Sequence, residues 1–127
     1  MRNERKSGDR RRQRGKAAEE AAARYLAGLG YRVLARNWRC RSGEIDLVAL
    51  DGTTLVFVEV RSKRTNSRFG AALEAVTPRK TRQVRDVAGV YLIFHPHDAG
   101  AIRFDVVAVT LHPDDSVADL QHVKAAF

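Results

Sequence analysis

The chain has 127 residues, 44% of them apolar and 30% charged, a balance that suits one globular domain around a single core. No apolar run approaches the roughly 18–20 residues needed to span a bilayer, and charges stand where a signal peptide would carry its apolar segment, so a cytoplasmic protein without membrane contact is expected. The single cysteine, Cys40, excludes an internal disulfide and a cysteine-built zinc site, and it reads as a half-buried small residue rather than a nucleophile.

The net charge of +8 is concentrated at the start of the chain. Residues 1–16 hold eight cations against Glu4 and Asp9, a net +6, which leaves +2 for the other 111 residues. With almost no apolar side chains to bury, residues 1–14 are expected to form a flexible basic arm suited to a polyanion. From Gly15 the pattern turns helical: Ala18, Ala21, Ala22, Tyr25, Leu26 and Leu29 recur at three- and four-residue spacing, and Gly30 stops the run. Glu19 and Glu20 lie one turn inside.

Residues 31–36 read as a first strand, followed by the cationic connection Asn37-Trp38-Arg39-Cys40-Arg41-Ser42. Arg39 and Arg41 could hold phosphates there. Trp38 reads first as a plug under the sheet, with stacking on a base as the alternative. Two apolar runs, 43–50 and 55–63, then flank Asp51-Gly52-Thr53-Thr54 and read as a β-hairpin. Each carries an acid inside it, Asp46 and Glu59. A carboxylate within a strand covered on both faces is costly unless it is paired or holds a metal. If Leu50 lies opposite Leu55, Asp46 falls opposite Glu59; a two-residue turn at Asp51-Gly52 would oppose Asp46 to Phe57 instead, and in either register a period of two puts both acids on one face with Arg61 and Lys63. Two carboxylates so close repel, and Mg²⁺ or Mn²⁺ would relieve them while activating water beside a phosphate held by the cations.

Beyond Lys63 a polar loop containing Arg64 ends at Phe69 and Gly70, and a short apolar segment occupies 71–76. Thr77 and Pro78 form an N-cap and first helical residue, so a second helix is expected to about Phe94, opening on Arg79, Lys80, Arg82 and Arg85. His95, His97 and Asp98 fall in a Pro/Gly loop and read as surface rather than as ligands. A last strand covers 103–109 and contains Asp105, for which an ion pair with an arginine is favoured over a metal. Residues 112–127 read as a tail with a final helical turn from Ser116.

The words Gly-Glu-Ile-Asp-Leu-Val-Ala at 43–49 and Leu-Val-Phe-Val-Glu-Val-Arg at 55–61 resemble the PD-(D/E)xK nuclease superfamily, and within it the YraN family, small bacterial proteins predicted to be endonucleases and similar to archaeal Holliday-junction resolvases. The resemblance spans about residues 15–110. It implies an α/β, restriction-endonuclease-like core of order α-β-β-β-α-β, with a mixed central sheet flanked by helices. It implies a Mg²⁺- or Mn²⁺-dependent endonuclease acting on DNA, branched or duplex, and a symmetric homodimer if junctions are cut. Asp46 and Glu59 would ligate the metal and Glu19 would add an acid from the first helix. Arg61 or Lys63 would hold the phosphate, and Lys80 would face the nucleic-acid backbone beside Arg82, Arg39, Arg41 and Arg64. Arg61 stands where the superfamily has lysine, and a guanidinium is a poor proton acceptor. The alternatives are a catalytically silent nucleic-acid-binding module of the same fold and an RNA- or ribosome-associated basic protein.

Overall fold

A computed structural model describes residues 2–66, 77–97 and 100–127, with the side chains described from Gly8 onward. The end of the cationic loop, the apolar segment 71–76, Asp98 and Ala99 lie outside the described residues. The order is helix α1 (Arg2–Gly28), strands β1 (Arg32–Cys40), β2 (Gly43–Asp51) and β3 (Thr54–Arg64), helix α2 (Pro78–Phe94), and strands β4 (Ile102–Leu111) and β5 (Val117–Val123). Among the described residues, the five strands form one mixed sheet in chain order, antiparallel except for the parallel pair β3 and β4. A parallel neighbour needs a crossover, and the segment containing α2 supplies it.

The sheet is covered on both faces. Ala18, Ala22, Ala23 and Leu26 of α1 pack on Leu47, Ala49, Val56 and Val58, and small side chains let this helix lie close to the strands. Val84, Val87, Ala88 and Tyr91 of α2 pack on Ile45, Val48, Leu55 and Phe57. Burial on both sides explains why the central strands read as continuous apolar runs. The Thr77 side chain accepts the Lys80 N–H at 3.2 Å with Pro78 next to it, the start expected from those two residues.

Three elements differ from the sequence expectation. Helix α1 starts at Arg2, so the cationic run set apart as an arm is helical: Arg, Lys, Gln and Glu are good helix formers, and a helix seeded on the packed alanines gains one hydrogen bond per added residue. Strand β1 continues through Asn37 to Cys40 and meets β2 by the tight turn at Arg41 and Ser42, where a longer connection was expected. Residues 117–123 form β5 against β4 instead of a helical turn, because Leu120 and His122 find cover under α1 while their neighbours face water, a period of two. Of the two β2–β3 registers open to the hairpin, the one with Leu50 opposite Leu55 forms.

Candidate metal centre

Strand alternation breaks twice in β1, at Leu34, where the register with β2 shifts, and again opposite Asp46, where β2 breaks with it. Ile45 joins the α2-side core and Leu47 the α1-side core, although residues two apart in a strand normally share a face. Across the ladder Trp38 pairs with Ile45 and Arg36 with Leu47, so Asn37 is the residue opposite Asp46. Its φ of 50° is left-handed, a conformation in which asparagine is enriched several-fold among non-glycine residues.

The slip gathers acids. Glu19 of α1, Glu44 and Asp46 each offer a carboxylate oxygen, all three oxygens lying within 4.8 Å of one another. Asp46 Oδ2 also accepts the Val60 N–H at 2.8 Å, so its carboxylate bridges into β3. Burial pushes the Asp46 carboxyl up to about 8; the charge of Glu59 adds to this, as do Glu19 and Glu44, while the Val60 N–H pulls the other way. Glu19 is also raised, by burial first and by Glu44, against the facing side chain of Asn37 and the charges of Arg39 and Arg36. Glu20 is turned away and held low by Arg36 at 2.7 Å and Arg24 at 3.1 Å.

Glu59 does not share a face with Asp46 as the period-two count required. Strand β3 keeps its alternation, so Glu59 follows Phe57 to the α2 side, where it is only 3% exposed and meets Arg61 at 3.3 Å and Lys80 at 3.7 Å. It still borders Asp46 closely enough to be the second cause of that residue's raised pKa. Lys63 lies on the Glu59 side by the same alternation.

Of the expected phosphate-holding cations, Arg41 and Arg82 are exposed, and Lys80 and Arg82 line an open groove of about 550 Å³ with Thr77, Arg79, Gln83 and Asp86. Arg39 reaches Glu44 at 3.0 Å and Arg64 reaches Asp115 at 3.5 Å, so both are engaged by acids. Trp38 is a core plug, edge-on to Tyr91 at 5.2 Å. Reading by residue type missed Glu44 and Asn37. The signal for Glu44 was the word Gly-Glu-Ile-Asp itself, with two acids one residue apart at a hairpin entry.

Asp105 is fully buried and paired as expected, with Arg103 at 2.8 and 3.0 Å. His122 at 2.8 Å and the Ala125 N–H at 3.1 Å complete its shell. Burial alone would raise its pKa, but these partners outweigh burial and hold it below the ordinary carboxylate value. Arg103 also reaches Asp51 and the Tyr31 hydroxyl, and the other nitrogen of His122 meets the Tyr25 hydroxyl.

The sequence model of Uncharacterised protein family UPF0102 matches residues 18–109. The chain is 45% identical over 113 residues to a UPF0102 protein of Frankia casuarinae, covering 89% of this chain and 94% of the relative. It is 49% identical over 110 residues to a UPF0102 protein of Mycolicibacterium vanbaalenii, covering 87% and 89%. A third relative, from Pelotomaculum thermopropionicum, is 46% identical over 119 residues, with 94% and 98% covered. Among the described residues no helix is long and apolar enough to cross a membrane.

Proposed function

The chain belongs to the UPF0102 family, which is the YraN family, and we propose from its site that it is a metal-dependent endonuclease acting on DNA. The observation that carries this reading is the Glu19, Glu44 and Asp46 group. Its donors are all hard oxygens, among the described residues Asp46 has no salt-bridge partner while Glu44 has only the exposed Arg39, and the Asp46 proton affinity is raised by burial first and then by Glu59, Glu19 and Glu44. That donor chemistry fits Mg²⁺ or Mn²⁺ rather than a soft metal. Bound there, the ion would supply Lewis-acid activation of water and charge neutralisation at phosphate.

The chain's own residues do the rest. Asp46 is fixed by the Val60 N–H, Glu44 is braced by Arg39, and Glu19 approaches from α1. Glu59 borders the group with Arg61 and Lys80 at its carboxylate, and these cations stand ready to exchange that partner for a phosphate oxygen. The groove at the start of α2, with Arg79, Lys80 and Arg82, and the cationic half of α1 give the nucleic-acid backbone a path. A dimer would let two such sites act on a branched substrate.

The test is cleavage of labelled duplex, flapped, single-stranded and four-way-junction DNA with Mg²⁺ or Mn²⁺, comparing the native chain with Asp46→Ala and Glu59→Ala. Cleavage by the native chain that both variants lose is the expected result. Binding without cleavage in either metal would replace this reading with a silent DNA-binding module, which the engagement of Arg61 by Glu59 favours as the second reading.

A further inference from the structure

We infer that Asn37 is the positioning residue of the acidic group: its left-handed backbone, opposite Asp46, slips the strand alternation by one and so delivers Glu44 and Asp46 to the face on which Glu19 lies. The inference deepens the metal-site reading above and depends on it only for its functional consequence.

In β2, Val48 belongs to the α2-side core. Uninterrupted alternation from there would send Asp46 and Glu44 to the α2 side and Leu47 and Ile45 to the α1 side, because a one-residue slip exchanges the faces of every residue beyond it. Leu47 obeys this rule and Ile45 breaks it, packing with Trp38 and Cys40 in the α2-side cluster. Glu44 is therefore carried to the opposite side, where it pairs with Arg39 and comes within metal-ligand reach of Glu19.

Both strands slip at the same rung. In β1, Ala35 and Trp38 share the α2-side cluster with two residues between them, whereas alternation would allow one or three. Asn37 is the residue of that rung with positive φ, while Asp46 has none. Asn37 is exposed, so core packing does not force its conformation. Its side chain faces Glu19, which places the turn and the acid it serves side by side. Asparagine and glycine tolerate this backbone and a β-branched residue does not.

The test uses the full chain with Asn37→Gly, Asn37→Ala and Asn37→Val, read in two ways. Methyl NOEs report whether Ile45 stays packed in the α2-side cluster, and calorimetry with Mn²⁺ alone reports affinity, with thermal melts alongside. Asn37→Gly should keep the Ile45 contacts and bind Mn²⁺ within about threefold of the native chain, whereas Asn37→Val should lose those contacts and at least ~10-fold in affinity. Asn37→Ala, the milder change, should fall between them and carries the comparison if the valine variant does not fold. An alanine or valine variant that keeps both the Ile45 contacts and native affinity overturns the inference, as does a glycine variant that binds more weakly than alanine at equal melting temperature. A native chain that takes up no Mn²⁺ overturns the metal reading instead, and the Ile45 contacts still decide the role of Asn37.

Discussion

Asp46 and Asp105 each interrupt an apolar run inside a strand, and the molecule treats them in opposite ways. Asp105 is enclosed by Arg103, His122 and a backbone N–H, so every lone pair is used and its pKa falls. Asp46 has one backbone donor and otherwise meets Glu59, Glu19 and Glu44, so its pKa climbs to about 8. The first arrangement is complete without a ligand and reads as structure. The second lacks positive charge at its centre and reads as a place for one.

The largest effect expected from breaking this contrast is at the closed site. Asp105→Ala leaves Arg103 and His122 facing an uncompensated cavity and should cost about 3–5 kcal/mol of stability in denaturant melts, with little change in metal affinity in any fraction that folds. The same kind of change at the open site should act with the other sign. Asp46→Asn removes the repelled carboxylate, so it should stabilise the metal-free protein by about 1–2 kcal/mol at pH 8 while lowering Mn²⁺ affinity on the order of 100-fold or more.

A pH series sharpens the comparison without mutation. Below about pH 8 the folded Asp46 retains a proton that Mn²⁺ must displace, so affinity should rise with pH up to that point, by up to ~10-fold per unit, and level off above it. Over the same range the metal-free protein should lose stability as pH rises from about 4 towards 8, because the folded chain then holds a proton that the unfolded chain has released. Asp105 contributes in the reverse sense: its lowered pKa stabilises the fold above the unfolded carboxylate value and that contribution is lost as pH falls through the folded pKa. A flat Mn²⁺ affinity from pH 6 to 8 would remove Asp46 from the ligand set.

The smallest effect belongs to Glu44→Gln, which keeps the shape and hydrogen-bonding capacity of the side chain but removes its charge. Mn²⁺ affinity should fall about 10-fold with an unchanged melting temperature, since its partner Arg39 is mostly exposed and the pair contributes little to stability.

Much of this fold could be read from local pattern. Thr77-Pro78 marks the start of α2, the alanine spacing marks the packed half of α1, and Asp51-Gly52-Thr53-Thr54 marks the turn between β2 and β3. The acids Asp46, Glu59 and Asp105 stood out because each interrupts an apolar run. Which of them face one another did not follow, because the period-two count assumes an unbroken strand and nothing in local pattern says that Asn37 breaks it. The strand β5 escaped notice for a related reason: it has one apolar residue under α1, Leu120, and the partner that makes His122 buried is the distant Asp105.

The sequence by itself therefore determined both helical cores, the central strands and the presence of costly acids inside them, since propensity, periodicity and desolvation act locally along the chain. Only the tertiary structure decided that Asp105 meets His122 besides Arg103, that Glu59 turns to Lys80, and that Glu44 joins Glu19 and Asp46. Those outcomes depend on which charges from distant segments meet across a few ångströms, and one left-handed residue is enough to exchange the faces on which they meet.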